Sequence, residues 1–323
     1  MEIPAARVAL HGYLSRFTIW RAGCGRGEII LDRWFILVTK LCLALTGREP
    51  TRRNFLMSNL PKLTDALLTL EDRVAVLTFN RHDLRNALTG SHLIDDIVTT
   101  ADWANHCDDV SVLVITGAGS AFSAGGNVRD MAERGGDFAG DVAECADRYR
   151  KGIQKIPLAL QGVEVPVIAA VNGPAIGAGF DLANMADIRI ASEKAKFGET
   201  FLNLGIIPGD GGAWLMQRLI GYQRAFELTL TGRVVEASEA KELGIVLEVV
   251  PADELMSTVM KMAKRIASQP PKATRLTKRL MKMAQRMELK DFLDLCAVFQ
   301  GMCHNEPEHL EAVNRMLESM AKR

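Results

Sequence analysis

Two glycine-flanked segments about fifty residues apart contain the residues best placed for chemistry. The first reads Phe-Ser-Ala-Gly-Gly-Asn-Val over 122–128, and the second reads Asn-Gly-Pro-Ala-Ile-Gly-Ala-Gly-Phe-Asp over 172–181. Glycine beside a small residue lets the backbone turn sharply and leaves an N–H group facing outward. Two such N–H groups that converge on one point would bind a carbonyl oxygen as it becomes negative, as an oxyanion hole does.

A carboxylic acid, Asp181, ends the second segment in the first turn of a predicted helix. The helix N-terminus favours the charged form of this carboxyl, whereas an apolar pocket favours the neutral form. A carboxyl balanced between these two effects suits a proton shuttle. Aspartate in a first helical turn is also common as a capping residue, so both interpretations stay open at this point.

Each glycine segment lies between a predicted strand, over 110–116 or 167–171, and a predicted helix. From about residue 70 strand and helix patterns alternate, which predicts parallel strands with helical crossovers. Further strands are predicted over 74–79 and 188–191, and helices over 91–105 with Ser91 as N-cap, 141–161, 179–186, 211–220, 224–230 and 237–243. After residue 251 four amphipathic helices are predicted, over 253–268, 271–286, 290–301 and 306–321.

The two glycine segments and four further stretches resemble the crotonase (enoyl-CoA hydratase/isomerase) superfamily. The matching stretches are Ala-Phe-Ser-Ala-Gly-Gly-Asn at 121–127, Pro-Val-Ile-Ala-Ala-Val-Asn-Gly at 166–173, Gly-Ala-Gly-Phe-Asp-Leu-Ala at 177–183, Ala-Asp-Ile-Arg-Ile-Ala-Ser at 186–192, Gly-Ile-Ile-Pro-Gly-Asp-Gly-Gly at 205–212 and Leu-Thr-Gly-Arg at 230–233. They follow the order and spacing of the family from about residue 70 to the C-terminus.

This resemblance implies an α/β fold with a repeated ββα spiral core and a C-terminal helical region that makes trimer contacts. It also implies that Ala124 and Ala178 form the oxyanion hole through their backbone N–H groups. The reaction served by such a hole is enolisation of a thioester, in which negative charge builds on the carbonyl oxygen.

The resemblance places Asp181 where hydratases of the family carry one of two catalytic glutamates, and Phe201 where they carry the other. Phenylalanine cannot hold or activate a water molecule, so double-bond migration or an unusual hydration is favoured over the ordinary two-glutamate reaction. Glu199 is predicted to point the same way as Phe201 if the chain is extended there. Asp210, on the loop over 208–212, is a candidate second acid, with helix N-capping as the alternative.

The residues Leu84, Arg85, Asn86 and Ala87 match the family segment that lies against the adenine and pantetheine of CoA. With Gly125, Gly126, Gly177 and Phe201 they are the predicted substrate-binding residues. Candidate phosphate ligands are Arg81, Arg85, Lys272, Lys278 and Lys282, with ordinary surface charges as the alternative.

The charge of the chain is balanced, with 39 basic and 39 acidic residues among 323. This balance gives no reason to expect nucleic acid or an anionic membrane as a partner. The six cysteines form no Cys-x-x-Cys pair and no metal-like grouping with histidine. We therefore expect reduced thiols, a cytoplasmic protein, and neither metal nor redox cofactor.

Residues 1–56 differ from the rest of the chain. An apolar run over 34–45 is too short for a bilayer span of about twenty residues. We interpret 1–56 as an N-terminal extension that is disordered or not native, with Met57 as the true start; a membrane-surface anchor or transit segment is the alternative. The predicted organisation is this extension, a spiral core over 57–251 and a helical region over 252–323.

The implied function is that of an acyl-CoA enzyme acting on the double bond of an enoyl-CoA thioester through an oxyanion-stabilised enolate. Coenzyme A enters only as part of the substrate, and a homotrimer or dimer of trimers is implied. Two alternatives remain open: an acyl-CoA hydrolase, and a catalytically inactive protein of this fold that binds acyl-CoA.

Overall fold

Two β-sheets organise the computed structural model, which describes residues 60–321. The larger sheet contains β1 (Ala66–Glu71), β2 (Val74–Phe79), β3 (Val112–Gly117), β4 (Val167–Val171), β6 (Ile188–Ser192) and β9 (Glu248–Val250), and the smaller contains β5 (Ala175–Ile176), β7 (Lys196–Gly198) and β8 (Val234–Glu236). The larger sheet has the order β1-β2-β3-β4-β6-β9, and the smaller has the order β5-β7-β8. The N-terminal extension predicted over 1–56 lies outside the described residues.

The helices connect these strands and then extend beyond them. They are α1 (Leu93–His106), α2 (Val128–Ala132), α3 (Val142–Lys151), α4 (Lys155–Gly162), α5 (Ala178–Asn184), α6 (Gly212–Ile220), α7 (Tyr222–Thr231), α8 (Ala237–Leu243), α9 (Leu255–Ala267), α10 (Pro271–Ala284), α11 (Leu289–His304) and α12 (Pro307–Ala321). Strand β1 pairs antiparallel with β2, and every other pairing in the larger sheet is parallel. The predicted parallel pairing and α/β fold are therefore confirmed.

The central strands are buried on both faces, which explains their nearly continuous apolar sequences. In β3, Leu113 and Ile115 face the main core, whereas Val112 and Val114 face a second cluster. Helix α9 covers that second face with an apolar stripe that includes Val259. The first of the four predicted C-terminal helices is thus packed against the sheet.

Two local predictions were wrong. The helix predicted over 141–161 is two helices, α3 and α4, because Gly152 leaves the helical region with φ −106° and ψ −113°. Pro157 lies in the first turn of α4, where a missing N–H group loses no helical hydrogen bond. Helix α1 begins at Leu93 with His92 rather than Ser91 as its N-cap, although the Ser91 hydroxyl accepts a hydrogen bond from the Leu93 N–H (3.3 Å).

No helix within residues 60–321 is both long and apolar enough to span a bilayer.

Candidate active site

The two glycine segments meet in the structure. The Ile176 N–H donates to the Ser123 carbonyl (3.0 Å), and a short parallel bridge joins Ser123 to Ala175. Gly125 has φ +78°, and a Cβ at this position would lie 2.5 Å from the Ile176 oxygen and 2.9 Å from the Ala178 nitrogen. Only glycine fits such a close approach, so these residue types are needed to bring the segments together.

Ala178 offers a free amide at the start of α5. The preceding Gly177 has φ 54° and ψ −124°, and its own N–H donates to the Gly198 carbonyl (2.8 Å). Within residues 60–321 the Ala178 N–H has no hydrogen-bond acceptor, as is normal in the first turn of a helix. The positive end of the helix dipole also lies here, so this amide is well placed to stabilise a developing oxyanion.

The N–H group of Ala124 already donates a hydrogen bond, whereas the sequence predicted that it would be free to bind an oxyanion. Its N–H donates to the Arg85 carbonyl at 2.9 Å. Arg85 and Asn86 both have left-handed backbone conformations, with φ 50° and 55°. An oxyanion that uses both predicted amides would have to displace the Arg85 carbonyl from Ala124.

The predicted CoA segment divides into exposed and buried residues. Leu84 and Arg85 are exposed, whereas Asn86 and Ala87 are buried. The Asn86 amide donates to the Ala118 and Ala121 carbonyls (3.0 and 2.9 Å), so this side chain holds the segment in place.

Four of the five candidate phosphate ligands already have partners in the chain. Arg81 pairs with Asp65 and Asp83, Lys272 with Glu306, Lys278 with Asp187 (2.6 Å), and Lys282 donates to the Gln161 carbonyl (2.8 Å). Lys278 is only 8% exposed, and burial lowers its pKa to about 8. The alternative of an ordinary surface charge is therefore wrong for Lys278. Arg85 alone of the five makes no such contact within residues 60–321.

An apolar cavity brings predicted site residues from both segments together. It is lined by Thr89, Gly126, Met131, Asp137, Phe138, Arg148, Tyr149, Ile153, Ala178, Phe201, Ile206 and Asp210. Four of these, Gly126, Ala178, Phe201 and Asp210, are residues that the sequence predicted for the site. Residues from both glycine segments and from the Asp210 loop thus line the same apolar space.

Three buried carboxyls, Glu199, Asp181 and Asp210, form what we call the carboxyl row. They are 1%, 0% and 3% exposed, and the charges of both Asp210 and Glu199 act on Asp181 and raise its pKa. Within residues 60–321 none of their oxygens has a hydrogen-bond partner. Asp210 lines the cavity, whereas Asp181 and Glu199 do not.

The packing of the carboxyl row requires a glycine at the first position of helix α6. A Cβ at Gly212, the first residue of α6, would overlap carboxyl oxygens of both Asp181 and Glu199. Helix α6 has Gly211 as its N-cap and no side-chain cap, so the capping alternative for Asp210 is not observed. The carboxyl of Asp181 also accepts no backbone N–H, which excludes the capping role for that residue.

Glu199 and Phe201 do not point the same way, contrary to the prediction from an extended chain. Strand β7 ends at Gly198, and a 3₁₀ turn covers Thr200–Leu204. Phe201 consequently reaches the cavity, whereas Glu199 contacts Asp181.

The loop that carries Asp210 is held by residues that no sequence pattern singled out. The Gln154 amide donates to the Gly209 carbonyl (2.8 Å), and a Cβ on Gly209 would lie 2.9 Å from the Tyr149 ring. Both contacts come from α3 and the α3–α4 connection. The sequence offered one relevant signal, the glycines at 209, 211 and 212 that flank Asp210. Their structural role depends on which residues pack against this loop.

Burial is the main influence on the protonation of the carboxyl row. It raises the pKa of Asp181 well above the usual range, and the charges of Asp210 and Glu199 raise it further. Burial raises the pKa of Glu199 to about 7 and also raises that of Asp210. The row therefore retains protons near neutral pH, so that an acid and a base lie side by side.

A match to the family model described as enoyl-CoA hydratase/isomerase covers residues 69–321. The chain belongs to this family. It is 33% identical over 260 residues to the short-chain-enoyl-CoA hydratase of Clostridium acetobutylicum, covering 80% of this chain and 96% of the relative. It is 32% identical over 248 residues to the 1,2-epoxyphenylacetyl-CoA isomerase of Escherichia coli, covering 77% of this chain and 93% of the relative.

A solved structure supports the same family and the crotonase fold. The crystal structure of enoyl-CoA hydratase from Bacillus anthracis matches with a TM-score of 0.74 and 31% identity, covering 79% of this chain and 97% of that one. The protein is accordingly an acyl-CoA enzyme of the enoyl-CoA hydratase/isomerase family, of the lyase or isomerase type.

The raised pKa of Glu199 predicts a pH-dependent stability. Between about pH 4.5 and 7 the folded protein binds more protons than the unfolded chain, so the free energy of unfolding falls as the pH rises. A shift from 4.5 to about 7 corresponds to about 3 kcal/mol. We expect Glu199→Gln to be more stable than the wild type at about pH 8 but not at about pH 4, as measured by urea unfolding. If the free energy of unfolding changed with pH in the same way in both proteins, this expectation would be contradicted.

Proposed function

We propose that the enzyme moves the carbon–carbon double bond of an enoyl-CoA thioester by a 1,3-proton shift. The observation that supports this most directly is that Asp210 is the one member of the carboxyl row that lines the cavity, together with Phe201 and Ala178. The proposed base and the residue of the proposed oxyanion donor thus line one apolar space. Phe201 lines it too, and the resemblance places this residue where hydratases carry their second glutamate.

The proposed reaction keeps atoms and electrons balanced. The Asp210 carboxylate removes a proton from the α carbon of a 3-enoyl thioester, and the electron pair of the broken C–H bond moves toward the thioester oxygen. The Ala178 N–H stabilises the resulting dienolate. Asp210 then returns the proton to the γ carbon, which leaves a 2-enoyl thioester and the carboxylate as it began. No oxidant, reductant or cofactor is needed for this step.

Hydration is the second candidate, because relatives of this chain are named as hydratases. A water molecule would then be activated by the carboxyl row without a second carboxylate opposite. Enoyl-, dienoyl- and saturated acyl-CoAs should be incubated with the enzyme in isotopically labelled water and followed by mass spectrometry. Isomerisation exchanges hydrogen at constant formula, hydration adds water, hydrolysis frees CoA, and a protein that only binds does none of these. Hydration as the main reaction would contradict the proposal.

Phe201 provides a direct test of what directs the reaction. Phe201→Glu would place a second carboxylate on the cavity beside Asp210, so we expect it to gain measurable hydration of a short trans-2-enoyl-CoA. The new buried charge should also lower the melting temperature. Phe201→Gln is the matched control, since it is polar without an ionisable carboxyl. If both variants hydrate equally, or neither does, Phe201 does not decide the reaction.

We further propose that the enzyme is a homo-oligomer, a trimer or a dimer of trimers. The supporting side chains are exposed apolar residues of α11 and α12, which include Leu289, Leu293, Leu310, Val313, Leu317 and Met320. Exposed apolar patches of this kind mark association surfaces. Light scattering after size-exclusion chromatography measures the assembly directly, and a monomer would contradict this proposal.

A further inference from the structure

The cavity lined by Ala178, Phe201 and Asp210 is small. Its volume is about 40 Å³, whereas an engineered apolar cavity that binds benzene measures about 150 Å³. One water molecule needs about 10–15 Å³ on a similar scale, so the cavity has room for roughly three groups of that size. A ring or a long acyl chain does not fit in this space.

Side chains packed against both glycine segments limit the width of the cavity. A Cβ at Gly126 would lie 2.6 Å from the Met131 methyl carbon and 3.8 Å from the Phe138 ring. A Cβ at Gly177 would lie 3.8 Å from the Phe201 ring. Met131, Phe138 and Phe201 all line the cavity, so these three side chains take up space beside the two segments.

Hydrogen bonds hold the wall that contains Phe138. The Arg148 guanidinium, from α3, donates to the Gly136 carbonyl (3.3 Å) and to the Ala139 carbonyl. The capping box at the start of α3 adds two hydrogen bonds between Asp141 and Glu144, of 3.1 and 2.9 Å. A longer acyl chain that pushed this wall outward would have to break such contacts.

The polar residues of the cavity do not favour a charged end group. Among the residues within 60–321 that line the cavity, Arg148 is the one basic residue, and its Nη1 already donates to two carbonyls. Asp137 and Asp210 also line the cavity, and their carboxylates would repel the terminal carboxylate of a dicarboxylic acyl group. The lining therefore suits an uncharged hydrocarbon chain.

We propose that the substrate carries a short hydrocarbon acyl group of about four carbons, and that Met131 and Phe138 exclude longer chains. This inference names the substrate class of the proposed function and rests on it. With the thioester carbonyl at the Ala178 N–H, the cavity has room for the α, β and γ carbons. The but-3-enoyl group is the shortest chain that has all three, as the proposed proton shift requires.

The chain-length dependence of kcat/KM tests the size limit. We expect kcat/KM for 3-butenoyl-CoA to exceed that for 3-octenoyl-CoA at least about tenfold in the wild type, since one misplaced methylene can cost that much. In Met131→Ala and in Phe138→Ala this ratio should fall at least about tenfold, because each change removes a side chain that limits the cavity. A wild type that prefers 3-octenoyl-CoA, or an unchanged ratio in both variants, would overturn the proposal.

The matched control is Val128→Ala, which shortens an exposed side chain on the same helix as Met131, away from the cavity. It should keep the wild-type ratio of kcat/KM values. Circular dichroism should establish that each variant is folded before the ratios are compared.

Binding of saturated thioesters separates this inference from the proposed reaction, because these compounds have no double bond to move. By isothermal titration calorimetry with the wild type, the Kd of butyryl-CoA should be at least about tenfold below those of octanoyl-, phenylacetyl- and succinyl-CoA. If butyryl-CoA is favoured in this way while no enoyl-CoA is isomerised, the proposed function fails and the size limit stands. Equally tight binding of any of the other three would overturn the inference, whatever reaction the enzyme catalyses.

Discussion

Asp210→Asn is expected to lower kcat for enoyl-CoA isomerisation at least about a hundredfold, the usual scale for loss of a general base. Asparagine has nearly the same size and keeps a hydrogen-bonding group at the cavity, but it cannot accept the α proton. Asp210 lines the cavity and is the end of the carboxyl row nearest the substrate. Substrate affinity should change little, so the loss should appear in kcat rather than in KM.

The control for this variant is Asp137→Asn, because Asp137 lines the same cavity and lies outside the carboxyl row. It should retain most of the wild-type activity. Asp181→Asn should also be strongly impaired, and the double variant should lose little more than the worse single variant, since the two carboxyls act as a unit. Near-wild-type turnover in Asp210→Asn would contradict the assignment of Asp210 as the base.

Ala178→Pro should have the second large effect, a decrease in kcat of about 10²–10³. Proline removes the N–H group that would stabilise the dienolate oxygen. Ala178 is the first residue of α5, a position where helices tolerate proline and where the N–H has no helical partner. The chemical step should therefore suffer much more than the helix does.

Ala178→Gly is the matched control, because it also changes the side chain but keeps the N–H group. Circular dichroism and the melting temperature should establish that both variants are folded before kcat is compared. Similar kcat values in the folded Pro and Gly variants would mean that the Ala178 amide does not stabilise the intermediate.

The amide of Ala124 shows what local sequence pattern leaves undecided. The pattern Ser-Ala-Gly-Gly correctly marked a tight turn that meets the second glycine segment at Gly125. It did not reveal that the Arg85 carbonyl accepts the Ala124 N–H, because that contact joins residues 39 positions apart (124 minus 85). A turn is encoded by neighbouring residues, whereas the acceptor of its N–H depends on which loop packs against it.

The sequence by itself determined the family, the parallel α/β core and the candidates for the site. Strand and helix patterns are local, so β3 and β4 could be located from their apolar runs and from the glycines that follow them. The resemblance likewise predicted from the sequence that Phe201 stands at the position of a hydratase glutamate. The break at Gly152 was not, because a single glycine does not by itself end a helix.

Only the tertiary structure decided the order and environment of the acids. Asp181, Glu199 and Asp210 come from a helix, a strand end and a loop, and they meet because Gly212 leaves room for two of them. The end of β7 at Gly198 turned Glu199 toward Asp181 and Phe201 toward the cavity. A carboxyl's protonation depends on burial and on neighbouring charge, which the packing of distant segments sets.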